Sequence, residues 1–264
     1  STPPHPPPKK KKKTMSASVA PDLPKPNKAF IPLECNPDLM TTLVHKLGLS
    51  KQLAFVDVYS LTDPDLLAFV PRPALALLLV FPVSPIYEKS RQEEDASLPD
   101  YDKKGENEDP LWFKQTIRNA CGMMGLLHAV SNGSARSMIQ PGSPLSKFLA
   151  RAQPLSPIER AKALEESDEL EAAHKTAATQ GDSVVPNAED DVDLHYVCFV
   201  KSNKDNHLYE LDGRRKGPLD RGDIGEDGDV LCDKATAVVQ TFIDREKQSG
   251  RLDFSLVALT PSFD

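Results

Sequence analysis

Ala74-Leu-Ala-Leu-Leu-Leu-Val-Phe81 is the longest apolar run in the chain. Its eight residues fall far short of the ~20 that a membrane-spanning helix needs, so it reads as a strand buried in a globular core. Segments rich in β-branched and aromatic residues at 53–59, 192–200, 207–211 and 253–259 offer themselves as its companions. The polar stretch from Ser202 to Asn206 joins two of them as a hairpin. Helix starts are written in cap chemistry. Asn36-Pro37-Asp38, Asp63-Pro64-Asp65 and Ser156-Pro157-Ile158-Glu159 each set an N-cap before proline, and the last is also a capping box. Spacing of Leu126, Leu127 and Val130 predicts a helix from near Asn119 into the 130s, while Ala237, Val238, Phe242 and Ile243 predict one face of another over 233–246.

A chain of 264 residues has room for one sizeable domain plus tails. Residues 1–28 hold prolines and five consecutive lysines but too few aliphatics to offset the entropy of ordering, so they read as a disordered tail, with Met15 a candidate start. No apolar stretch follows the lysines as in a secretory signal, and the expectation is a cytoplasmic monomer. The lysine run reads as a solvated tail, a nuclear address being the alternative. Cysteines 35, 121, 198 and 232 form no Cys-x-x-Cys pair or His-Cys cluster and are expected to be free thiols, neither disulfide-bonded nor bound to zinc. Removing the five tail lysines takes the formal charge from −7 to −12, which disfavours a nucleic acid and favours a basic partner. Ser90 to Asp109 is charged and nearly free of aliphatics, which predicts a surface loop. Residues 153–191 are polar, with helical charge patterning up to His174, and predict a long excursion with little apolar surface to join the core.

Two segments carry chemistry. In Gln115-Thr-Ile-Arg-Asn-Ala-Cys121-Gly122 the cysteine falls in the first turn of a predicted helix, where unpaired backbone N–H groups favour a thiolate. A buried structural cysteine is the plain alternative. Gln115 favours the nucleophile, because its amide and the Cys121 N–H can together bind an oxyanion. His195 interrupts an otherwise apolar strand, as a packed core histidine also would. If the hairpin turns near Asn203 to Asp205, paired residue numbers sum to 407–409 and His195 lies beside positions 212–214, where Asp212 can orient the imidazole.

QTIRNACGMMGLLHA (115–129), DLHYVCFV (193–200), HLYELDGRRKGP (207–218), PLECNP (32–37) and FVDVYSLTDPDLLAFVPRP (55–73) resemble, in order and spacing, the signature segments of the ubiquitin carboxyl-terminal hydrolases (peptidase family C12). The likeness spans about residues 29–260 and places the catalytic domain at 29–264. It implies an α/β (α+β) papain-like fold, a central antiparallel sheet flanked by helices, with a knotted backbone. It also implies Cys121 as nucleophile, His195 as base and acid, Asp212 as its orienter and Gln115 as oxyanion residue, with no metal and no other cofactor. Glu34 and Asp57 become candidate partners for the arginines of ubiquitin's tail, and residues 153–191 correspond to the crossover loop over the active site. The implied substrate is ubiquitin carrying small adducts or short peptides. A hydrolase for another ubiquitin-like modifier and a non-catalytic ubiquitin-binding module are the rival readings. Two features depart from the family pattern: a hairpin turn two residues longer, which keeps the same side chains on the same face, and Met123-Met124 behind the nucleophile. The absence of a long C-terminal extension fits a short, stand-alone member. His5, His45, His128, His174 and His207 read as structural or solvated, Cys35, Cys198 and Cys232 as small core or surface thiols, and Arg214-Arg215-Lys216 as a solvated turn rather than a phosphate site.

Overall fold

The computed structural model describes residues 28–181, 185–188, 190 and 193–263. All of the expected tail except Lys28, and part of the expected excursion, therefore lie outside the described residues. In chain order the elements are α1 (Pro37–Leu47), β1 (Leu53–Asp57), α2 (Pro64–Leu67), β2 (Ala76–Pro82), α3 (Pro85–Ala96), α4 (Cys121–Val130), α5 (Pro144–Ala152), α6 (Pro157–Glu165), α7 (Asp168–Ala178), β3 (Leu194–Lys201), β4 (His207–Leu211), β5 (Leu219–Asp223), α8 (Asp233–Lys247) and β6 (Ser255–Pro261).

All seven residues of β2 are buried because the sheet is covered on both sides. The strands form one antiparallel sheet in the order β1-β6-β2-β3-β4-β5, as the apolar run of β2 requires of a strand near the centre. Side chains alternate between faces along each strand. Leu78, Val80, Tyr196, Cys198 and Val257 pack on one side against α1, α4, α5 and α7. Leu77, Leu79, Phe81, Val197 and Phe199 pack on the other against Tyr87 of α3 and Val239, Phe242 and Ile243 of α8. The three caps form as the sequence predicts: Asn36 and Asp63 each accept two backbone N–H bonds, and Ser156 with Glu159 closes a capping box.

Four expectations are corrected. The loop expected over Ser90 to Asp109 begins as the last turns of α3, which starts at a Ser84 cap before Pro85. Its buried face is Tyr87, Glu88, Arg91 and Asp95, so apolar periodicity is absent where ion pairs replace it. Residues 153–178 do join the core: Leu164 of α6 and Leu170, Ala173, Ala177 and Ala178 of α7 are buried, alanines in place of large aliphatics, and His174 Nε2 meets the carbonyl of Ile31 at 2.7 Å. Arg214 and Arg215 are not solvated. They pair with Glu88 (2.6 Å) and with Glu94 and Asp95 (2.6 and 2.9 Å). The buried face of α8 is turned from the expected one, with Ala235, Val239, Phe242 and Ile243 inward and Ala237 exposed.

Candidate active site

Cys121 is the first residue of α4, and this helix is buried along its whole length. The chain reaches it through Asn119, which takes a left-handed conformation (φ 58°), one that asparagine tolerates better than most residues. Gly122 lets Leu33 approach directly behind Cys121, since a Cβ there would stand 2.8 Å from that of Leu33. The Cys121 thiol lies 3.8 Å from the carbonyl of Leu194, the residue before His195.

His195 is the second residue of β3, paired with Phe81 of β2 and fully buried. The β3–β4 ladder has the register Cys198↔Leu211, inside the range the sequence predicts, and it ends there. Beyond Leu211 the chain folds back, and Asp212 Oδ1 meets His195 Nε2 at 2.8 Å. The same oxygen accepts the Arg214 N–H at 2.9 Å, and Oδ2 accepts the phenol O–H of Tyr87. The Asp212 carbonyl accepts the indole N–H of Trp112 at 3.1 Å. Every polar atom of this buried aspartate's carboxylate and carbonyl is thus partnered, as a charge in a low-dielectric setting requires.

Burial by itself would hold the His195 imidazole neutral, but the Asp212 carboxylate, with the neighbouring Cys121 thiol, outweighs it and lifts the pKa to about 9. Burial likewise opposes the Asp212 charge, and the imidazolium, Tyr87 and Arg214 reverse this, holding the carboxyl well below the usual range. With Nε2 taken by Asp212, Nδ1 is the ring nitrogen left to face the Cys121 thiol, which interacts with this side chain.

Gln115 is fully buried, and its amide donates to the carbonyl of Ile117 at 3.2 Å within the turn leading to Cys121. Its backbone N–H donates to Gly213 at 2.9 Å, which ties the oxyanion candidate to the aspartate's loop. Only glycine fits there: a Cβ at 213 would lie 2.9 Å from that of Gln115. Sequence, fold and geometry thus bring Cys121, His195, Asp212 and Gln115 to one place.

Glu34 and Asp57 lie together beside Cys35, and Glu34 follows Leu33, the residue packed behind Gly122. Both raise the pKa of Cys35, which burial pushes up first, to about 12. Asp57 is exposed at the end of β1, and Glu34 is half-buried against Gly181. Three neighbours of the site escape a reading of the sequence: Tyr87, Trp112 and Asn119, whose amide donates to the carbonyls of Ala188 and Asp190 at 2.9 and 2.8 Å. The Ser84-Pro85 cap was the available signal for Tyr87. His128 accepts the Phe113 N–H at 3.0 Å, and burial depresses its pKa to about 3, which makes it a neutral structural group.

The family model for ubiquitin carboxyl-terminal hydrolases, family 1, matches residues 30–244. Ubiquitin carboxyl-terminal hydrolase isozyme L1 of Equus caballus is 39% identical over 230 residues, covering 86% of this chain and 96% of that protein. Ubiquitin carboxyl-terminal hydrolase 3 of Arabidopsis thaliana is 38% identical over 236 residues, covering 89% and 95%. Among solved structures, the catalytic domain of Trichinella spiralis UCH37 bound to ubiquitin vinyl methyl ester has the same fold (TM-score 0.67, 20% identity, covering 90% of this chain and 98% of that one). With the family model covering most of its length and relatives of 38–39% identity matched over 86–89% of it, this chain belongs to the ubiquitin carboxyl-terminal hydrolases of family 1, the cysteine peptidases of family C12.

Proposed function

We propose that this enzyme removes small adducts or short peptides from the C-terminal glycine of ubiquitin through Cys121, His195 and Asp212. The observation that carries the reading is the buried His195–Asp212 contact at 2.8 Å, beside a cysteine that opens a helix. The Cys121 sulfur, its proton passed to His195, attacks the glycine carbonyl carbon and forms a C–S bond. The Cys121 N–H and the Gln115 amide hold the oxyanion. The imidazolium then returns its proton to the leaving amine as the C–N bond breaks, leaving a thioester. Water, deprotonated by the same imidazole, attacks that thioester and releases glycine carboxylate and thiol. Asp212 keeps the ring oriented and stabilises its charged form throughout.

Glu34 and Asp57 supply negative charge on the side where the acidic chain would meet the arginines of a ubiquitin tail, and each is proposed as a partner for one of them. The UCH37 domain with a similar fold was solved with a ubiquitin derivative, which supports the same protein as substrate here. Parallel turnover assays on a ubiquitin C-terminal amide, a ubiquitin-like protein amide and a bare tail peptide test the reading. Ubiquitin should be the preferred substrate, and equal turnover of the bare peptide would replace this reading with a general peptidase.

A further inference from the structure

We propose that Tyr87 is a positioning residue of this reaction, its phenol O–H fixing the orientation of the Asp212 carboxylate and sharing its negative charge. The inference rests on the Cys121–His195–Asp212 reading above. Tyr87 itself touches neither the thiol nor the scissile bond and acts through Asp212.

The case begins with how firmly Tyr87 is held. Its backbone N–H is capped by Ser84 Oγ at 2.9 Å, and that hydroxyl donates in turn to Glu246 of α8 at 2.5 Å. The first turn of α3 is therefore fixed to the helix beside it. The ring is buried among Phe81, Phe242 and His195, with centroids 5.0, 6.1 and 5.9 Å away. The Arg214 guanidinium lies 6.0 Å from its centre. So confined, the phenol donates to Asp212 Oδ2, its one acceptor among the described residues. The other carboxylate oxygen is already occupied by His195 and the Arg214 N–H, so without Tyr87 one oxygen of a buried charge would lack a donor. The carboxylate would then be free to turn, or would concentrate its charge on the imidazole.

The phenol stays a donor at every working pH, because burial and the Asp212 charge both raise its pKa well above the usual value. His195 is influenced by Asp212, Cys121 and Arg214, and Tyr87 by Asp212, Arg214 and Glu210. Asp212 also faces Asp95 of α3 and the His128 imidazole of α4, which burial holds neutral. Arg214 is in turn neutralised by Glu88 at 2.6 Å. Deleting the phenol O–H therefore leaves more of the Asp212 charge to the imidazolium, which should keep its proton to higher pH.

The test is the pH dependence of kcat/KM for a ubiquitin C-terminal amide in Tyr87→Phe. The leaving amine needs the His195 proton, so activity declines as pH rises through the imidazolium's pKa. In Tyr87→Phe that limb should move up by about half a unit, with kcat reduced several-fold and KM unchanged. Phe242→Leu disturbs the same packing without touching Asp212 and should leave the limb in place. Should Tyr87→Phe fail to fold, a fluorinated tyrosine at position 87, a stronger donor of the same shape, should move the limb down. A limb that superimposes on wild type in whichever variant folds overturns the inference. Loss of turnover in Cys121→Ala with an unmoved limb would remove only the role of Tyr87, whereas turnover surviving in Cys121→Ala would remove the triad and this role together.

Discussion

The carboxylate of Asp212 is addressed from three separate parts of the chain: the imidazole on β3, the Arg214 N–H that follows it, and the phenol on α3. Asp212→Asn keeps the shape but removes the charge that stabilises the imidazolium, so turnover should fall on the order of 10³–10⁴-fold with the fold retained. Active-site titration alongside circular dichroism checks this, and unchanged turnover per site would contradict it. The same contact predicts a pH dependence of stability. The native pKa of His195, raised to about 9, adds stability that is full below its unfolded value of ~6.5 and is lost as pH rises through about 9. The depressed pKa of Asp212 adds stability above its unfolded value of ~3.9, lost only as pH falls through the low native value. Melting temperature should therefore decline between pH ~6.5 and ~9 more steeply in wild type than in His195→Gln; equal slopes would contradict the assignment. At this scale the site was largely legible in the sequence. The hairpin arithmetic brings positions 212–214 to His195; the observed register, if continued, would set Arg214 opposite it, and Asp212 meets the imidazole because the chain folds back where the ladder ends at Leu211. Tyr87 was not legible, because its contact depends on a helix that apolar spacing does not reveal.

α3 shows why an element can hide. Its inward face carries Glu88, Arg91 and Asp95, which link through Arg214 and Arg215 to Glu94 and Glu210, and Arg221 closes the network from β5. A hydrophobic pattern marks only helices that bury hydrocarbon. This one buries paired charges and is announced by its Ser84-Pro85 cap alone. α7 is legible as a helix from its charge pattern, but its burial is not, because it packs with alanines, whereas α1, with Met40, Leu43, Val44 and Leu47 inward, shows its core face directly. The network supports the loop that carries Asp212, so breaking it should cost stability before chemistry. Glu88→Gln leaves Arg214 and Arg91 partly uncompensated in a buried setting and should destabilise by about 3–5 kcal/mol. Lys89→Ala, one residue along on the exposed face, should change stability by less than ~0.5 kcal/mol. Urea denaturation of the two variants makes the comparison, and equal effects would mean that the inward face of α3 is not supporting the fold.

Across the whole molecule, the sheet separates two cores, and the site lies where the start of α4, the start of β3 and the loop after β4 converge. The segment descending toward β3 is tied at Ala188 and Asp190 to the turn before Cys121 by Asn119. In the proposed function this segment, the family's crossover loop, limits the size of the leaving group. Flexible residues inserted between Gly181 and Val185 should permit slow cleavage of di-ubiquitin, at a closure cost of only ~0.6 kcal/mol per doubling of loop length. Wild type cleaving di-ubiquitin as fast as a small ubiquitin amide would end the size-limit reading. The central claim is that one thiol of four does the chemistry. Burial pushes the Cys35 thiol up to about 12 and the Cys198 thiol well above the ordinary range, and neither they nor Cys232 has a histidine–aspartate pair beside it among the described residues. Intact-mass and peptide mapping after reaction with ubiquitin bearing a thiol-reactive C-terminal group should find a single adduct, on Cys121, and none in Cys121→Ala. An adduct on Cys35, Cys198 or Cys232, or turnover surviving in Cys121→Ala, would contradict the account.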